Sequence, residues 1–331
     1  MAPSPMADLS IFGRGERMSA TLPETAALTN FAELCARARQ LGPKRVGVVL
    51  ADDDVALTAA SDALLQGIAV PVLIGDPGRI RARAESLGLL ELVARAEFVY
   101  SGPDPVRAAH TAVHLARDGA IDILMKGHLR TDELFHPILD RVHGLRNGRL
   151  LCDVAIAEFP SPDGSRLVAL SDGGLNVAPT LEQKREIILN AIGVLHCLGI
   201  AHPKIAIMSA LEVVTDVMPS TKDARALTEL AATGAFGDAD VYGPLALDNA
   251  LFEWAARAKG ITHPVAGHAD CLIVPSIEAG NLLAKSVIFF AGWQFAHVVA
   301  GAAVPILIPS RVESAQDKVN SMALGVLYAA R

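Results

Sequence analysis

Short apolar, β-branched runs recur along the chain, and between them lie longer stretches in which apolar residues return every three or four positions. Such alternation of buried strands and amphipathic helices predicts an α/β protein whose mostly parallel sheet is covered on both faces. The runs at 45–50, 69–74, 121–125, 167–170, 204–208, 271–274 and 304–308 read as strands. Helices are legible where a start signal precedes the periodicity. Thr180, Leu181, Glu182 and Gln183 form a capping box, and Ile188, Ala191, Ile192, Leu195 and Leu198 follow at helical spacing until Gly199 ends the helix. Ser220 to Asp223 opens another helix. From Ser286 to Pro309 there is no Asp, Glu, Lys or Arg, a run long enough to raise the question of a membrane span. Gly292, Gln294, His297, Gly301 and Pro305 interrupt it, so the better description is a buried helix from 282 to about 291, a second helical stretch and the strand 304–308.

The length of 331 residues, half of them apolar, exceeds one ordinary core and fits two lobes with a cleft between them. Glycines bracket a basic, polar turn at 144–148, where a lobe boundary is expected. Residues 1–25 read as a mobile lead-in without the apolar core of a signal peptide. A net charge of −7 and the lack of any Lys/Arg run argue against a polyanion-binding surface, so no nucleic-acid partner and no membrane are expected. Cys35, Cys152, Cys197 and Cys271 show no C-x-x-C spacing and read as free thiols in a reducing cytoplasm.

Three strand-to-helix corners and one helix carry the candidate chemistry. The last apolar run stops at Pro309, and Ser310 stands where a helix N-cap would stand. A cap hydroxyl, unpaired first-turn N–H groups and the helix dipole favour an anion there, and Arg311 adds a fork suited to phosphate. Asp317, seven residues on, projects from the same face as Ser314 and Ser321, opposite Val312, Val319, Met322 and Val326. The plainer alternative is a capped surface helix with a wet polar face. Lys126 ends the strand 121–125, Gly127 permits a tight turn, and Thr131 caps a helix with an apolar stripe of Leu134, Ile138, Leu139 and Val142. Here the alternative is an ordinary βα loop with a snorkelling lysine. Ser171, Asp172, Gly173, Gly174 and Asn176 form the third corner, which matches neither G-x-G-x-x-G nor a Walker sequence. Asn281 and Lys285, four apart, share a helix face and either flank the cleft or contact a substrate. Asp52, Asp53 and Asp54 read as a helix N-terminus, and His110 and His114 lack a third ligand, so no metal site is expected.

Taken together the corners resemble the phosphate acetyl/butyryltransferase family. The resemblance is carried by residues 125–134, 171–184, 190–191, 209–212, 218–221, 243–250, 278–281 and 310–311, in family order over most of the chain. It implies two αβα subdomains with mostly parallel sheets, similar to isocitrate and isopropylmalate dehydrogenases, with the active site in the cleft between them. Residues 26–147 with about 298–331 would form the first subdomain and 148–297 the second. It further implies a cytoplasmic homodimer that exchanges a short acyl group, acetyl or butyryl, between coenzyme A and phosphate by direct attack of the thiolate on the acyl phosphate in a ternary complex. Coenzyme A is then a substrate, and no cofactor or metal is required. By the same resemblance Asp317 takes the thiol proton, Ser310 and Arg311 hold the acyl phosphate, and Lys126, Gly127, Thr131, Asn281 and Lys285 bind substrate. The chain departs from the family pattern at Val312 and Glu313 (family S-R-A-D-S), His268, Ser276 and Tyr242, which bears on acyl-chain choice and on activity. Two other readings stand beside this one: a metal- and NAD-dependent dehydrogenase of the same architecture, which needs clustered metal ligands, and a non-catalytic relative that binds coenzyme A or acyl phosphate.

Overall fold

The computed structural model describes residues 26–161, 164–310 and 312–331, so the expected lead-in lies outside the described residues, as does Arg311. Helices and strands alternate through the first half: α1 (Phe31–Leu41), β1 (Lys44–Val49), α2 (Asp54–Leu65), β2 (Ala69–Gly75), α3 (Pro77–Ser86), α4 (Leu90–Arg95), β3 (Glu97–Tyr100), α5 (Pro105–Arg117), β4 (Ile123–Lys126) and α6 (Thr131–Ile138). A hairpin of β5 (Cys152–Ser161) and β6 (Gly164–Ser171) follows, then α7 (Leu181–Cys197), β7 (Lys204–Met208), α8 (Pro219–Ala231), β8 (Asp240–Leu245), α9 (Leu247–Leu251), α10 (Glu253–Ala258) and β9 (Cys271–Ile273). The chain closes with α11 (Ile277–Phe289), β10 (Phe295–Ala300), β11 (Ile306–Leu307) and α12 (Ala315–Ala329).

Among the described residues, eleven strands join one sheet in the order β3-β2-β1-β4-β11-β10-β5-β6-β9-β7-β8. Two parallel blocks flank a centre in which β11, β10, β5 and β6 pair antiparallel. The protein is thus α/β with a mostly parallel sheet. Local signals placed several elements well. Asp53 caps α2 by accepting from the N–H groups of Val55 and Ala56, which gives the acidic triplet a structural task. Thr180 and Gln183 cap α7 reciprocally.

The end of the chain differs from expectation in three respects. The helix expected to be buried from 282 to about 291 is α11, which ends at Phe289 and leaves Leu282, Phe289 and Phe290 exposed. The second helical stretch is the strand β10, paired with β5 from Phe295↔Ala157 to Ala300↔Cys152 and buried along its whole length. A strand apolar on both faces has no period to distinguish it from a buried helix. Thirdly, α12 begins at Ala315, with Ser314 and not Ser310 as N-cap, and its polar face is not wet: Asp317, Lys318, Asn320 and Ser321 are all buried. This helix packs against α1, α2 and β10, so both sides are covered and the polar groups bond inward. Ser321 Oγ, for example, accepts from the His297 N–H at 3.0 Å. Val312 lies outside the helix and is exposed, while Val319, Met322 and Val326 pack as expected. Among the described residues no helix is long and apolar enough to cross a membrane.

Candidate active site

The expected corners meet at one cavity of about 470 Å³. Lys126 and Thr131 line it from the β4–α6 corner, Gly173 and Gly174 from the loop after β6, Asn281 and Lys285 from α11, and Ser310 from the loop before α12. Between these polar rims the wall is apolar, with Ala155, Leu170, Ile288, Phe289, Phe295 and Ile308. Such a lining suits a short hydrocarbon group attached to an anionic one.

Close backbone approach builds two of the rims. The Gly127 N–H donates to the Val49 carbonyl at 2.9 Å, and a Cβ on Gly127 would lie 2.5 Å from that oxygen and 2.6 Å from the Leu50 oxygen. Gly127 itself does not line the cavity; it seats Lys126 and the following loop against the end of β1. Gly127→Ala is therefore expected to lower stability by about 1–3 kcal/mol, read as an earlier urea midpoint, because the clash is with backbone that cannot rotate away. On α11, a Cβ at Gly280 would sit 2.7 Å from the Asp172 oxygen and 2.8 Å from Gly173 Cα, so this glycine lets the helix lie on the glycine loop. Asn281 Nδ2 donates to the Gly173 carbonyl at 3.4 Å across the same contact.

Asp172 organises that loop. Its carboxylate accepts from the N–H groups of Gly174, Leu175 and Asn176 and from Asn176 Nδ2, at 2.5–3.3 Å. Burial, helped by the charge of Asp153, pushes its pKa up to about 6 against the pull of those donors. Thr131 is the first residue of α6 and not its cap; Arg130 holds the cap position, where its N–H donates to Glu133 Oε2 at 2.8 Å.

At the Ser310 corner the backbone is already bonded: Ser310 N–H donates to Glu313 Oε1 at 2.8 Å, and the Ser310 carbonyl accepts from Lys318 Nζ at 2.9 Å. Burial lowers the Lys318 pKa. Asp317 does not line the cavity. Its carboxylate accepts from the Phe295 N–H at 3.0 Å, from Ser314 Oγ at 2.6 Å and from the Ser314 N–H at 3.3 Å, so it sits within the wall behind Phe295.

Residues that sequence reasoning missed form the deep wall. His297, on β10, places Nδ1 3.1 Å from Asp153 Oδ1 on β5 and Nε2 3.5 Å from Glu313 Oε2, and all three side chains are buried. Burial opposes a charged ring, but the carboxylates of Glu313 and Asp153 outweigh it and raise the His297 pKa to about 10. Glu313 is pushed up by burial and, more strongly in sum, drawn down by His297 and its hydrogen bonds, so it stays below its ordinary value. The available signal was slight: a lone histidine in a run free of Asp, Glu, Lys and Arg, and an Asp inside an apolar strand. Of the departures from the family pattern, Val312 and Glu313 line the cavity. Tyr242 instead stacks on His263 at 4.1 Å, Ser276 precedes α11, and His268 is exposed.

A mostly parallel α/β sheet with a polar-rimmed, apolar-floored cavity at several strand ends defines a ligand-binding α/β protein of the enzyme type. The sequence model of the phosphate acetyl/butaryl transferase family matches residues 103–326, and the chain belongs to that family. It is 39% identical to a phosphate acetyltransferase of Rhizobium meliloti over 307 residues, 92% of this chain and 94% of the relative. It is 36% identical to a phosphate butyryltransferase of Clostridium acetobutylicum over 306 residues, 91% and 99% of the two chains. The crystal structure of a branched-chain phosphotransacylase from Enterococcus faecalis superposes with a TM-score of 0.76 at 30% identity, covering 86% of this chain and 99% of that one. A phosphotransacetylase from Streptococcus pyogenes, 20% identical, shares the fold with a TM-score of 0.75 over 91% of this chain and 99% of its own. The dehydrogenase alternative has no such support, and among the described residues no group of three or more His, Cys, Asp or Glu is placed to hold a metal ion.

Proposed function

We propose that the chain is an acyltransferase that exchanges a short acyl group between coenzyme A and phosphate. The observation that carries this reading is the convergence of Lys126, Thr131, Lys285 and Ser310 on the rim of a single apolar-floored cavity. Membership of the family supports it. In the direction that makes the thioester, the thiolate of coenzyme A attacks the acyl carbonyl carbon, the C–S bond forms and the C–O bond to phosphate breaks. Phosphate leaves with the bonding pair. Lys126, Lys285 and Arg311 are suited to balance its charge, and they do more for the transition state than for the ground state because charge builds as the bond breaks.

A thiol has a reference pKa near 8.5, so at neutral pH it needs a base. Asp317 is our candidate. Ser314, exposed and 2.6 Å from Asp317 Oδ2, offers a path for the proton between the surface beside the Ser310 corner and a carboxylate held inside the wall. Ser310 and Arg311 are assigned to orient the acyl phosphate, and Gly127, Thr131 and Asn281 to shape the substrate edge. We further read residues 26–147 with about 298–331 as one subdomain and 148–297 as the other; the parallel pairing of β11 with β4 supports that division. A cytoplasmic homodimer that needs no cofactor beyond its substrates completes the proposal.

The test is thiol release from acetyl-CoA and butyryl-CoA with and without phosphate. Turnover that requires phosphate is expected with at least one of them, and no phosphate-dependent turnover of any short acyl-CoA would overturn the proposal in favour of a binding protein.

A further inference from the structure

Three buried side-chain polar atoms among the described residues lack a hydrogen-bond partner, and two of them, His297 Nε2 and Glu313 Oε2, belong to residues of the cavity wall and face each other 3.5 Å apart. Neither atom makes a hydrogen bond, but the two form an ion pair with each other, and buried charges of this kind are costly unless they are compensated. Here they belong to a continuous line of contacts. It runs from Asp153 to His297 at 3.1 Å, on to Glu313, from Glu313 Oε1 to the Ser310 N–H at 2.8 Å, and from the Ser310 carbonyl to Lys318 Nζ at 2.9 Å. Carboxylate and cation alternate along it. Removing one member leaves its neighbours buried and uncompensated, so the line holds a fixed shape from β5 through β10 to the Ser310 corner.

Glu313 is the joint of this line, with one oxygen on the Ser310 backbone and the other toward His297. The family pattern S-R-A-D-S has Asp at this place; the extra methylene of Glu lets one carboxylate span both contacts. We propose that His297 is a positioning residue for acyl transfer: it holds Glu313, and through it the Ser310 backbone, at a fixed edge of the cavity. The proposal rests on the acyl-transfer reading. Neither member of the pair is suited to take the thiol proton, since His297 is held protonated and Glu313 is held below its ordinary pKa. Their effect is therefore expected in geometry, through Ser310.

The experiment is steady-state kinetics with acetyl-CoA and phosphate, together with calorimetric binding of coenzyme A, for wild type, Glu313→Asp, His297→Asn and the double variant. Each single change is expected to lower kcat by about tenfold or more and to raise KM for phosphate, while the Kd for coenzyme A stays within about twofold. The double variant should be no slower than the slower single one, because two residues that act as a unit are lost once. A merely structural role would weaken coenzyme A binding and phosphate use together and give losses that multiply; either result overturns the proposal. Should His297→Asn fail to fold, Glu313→Asp decides alone, since it keeps the charge that compensates His297. A kcat within about threefold of wild type then overturns the proposal, and a larger loss at unchanged melting temperature supports it. If wild type binds coenzyme A but transfers nothing to phosphate, the acyl-transfer reading falls and this proposal with it, an outcome distinct from a working enzyme that is indifferent to Glu313.

Discussion

Asp317→Asn is expected to cut the rate of phosphate-dependent acyl transfer by about 10²- to 10⁴-fold, the range a positioned general base contributes. The substitution keeps the side chain's shape and one acceptor oxygen, so the bond from the Phe295 N–H can persist. What it removes is the carboxylate oxygen that accepts from Ser314 Oγ and N–H. The lost cap contact should cost about 1 kcal/mol of stability, too little to unfold a domain of ordinary stability. Rate and stability are thereby separable. Measuring kcat across pH alongside a urea melt checks the assignment: a kcat and a pH profile equal to those of wild type would remove Asp317 from proton transfer, leaving it only the structural tasks of capping α12 and tying β10.

His297→Leu carries the largest expected effect on stability, about 3–5 kcal/mol, because it strips the cation from between two buried carboxylates. The dependence on pH has a definite sign. The folded-state pKa of His297, about 10, lies above the ordinary value near 6.5, so its contribution is fully present below pH about 6.5 and is lost as pH rises toward 10. Within that window the native chain binds more protons than the unfolded one, and stability falls with rising pH. Urea unfolding of both proteins between pH 6 and 10 should show the wild-type advantage shrink toward the alkaline end. A gap independent of pH would mean that His297 is not charged in the folded protein.

The two variants address different parts of one wall. Asp317 is bound to the strand that carries His297, through the N–H of Phe295, and Ser321 of the same helix bonds the His297 N–H. Helix α12 and strand β10 thus form a unit on which both the proposed base and the proposed positioning residue depend. Sequence separation hides this: Asp153, His297 and Glu313 come from three distant stretches of the chain.

What the chain encodes locally was readable from its residues. The capping box of α7, the acidic start of α2, most of the parallel strands and the corners at Lys126, Gly173 and Ser310 each depend on neighbours within a few positions, and all three corners meet at the cavity. Two features were decided only by tertiary structure. Strand β10 is buried on both faces between β5 and β11, so its sequence bears no period of two, and only hydrogen bonding with those partners makes it a strand. The charge line through His297 likewise has no local signature. A buried imidazolium is stable only where opposite charges surround it, and those charges arrive from strands and loops that the folded sheet alone brings together.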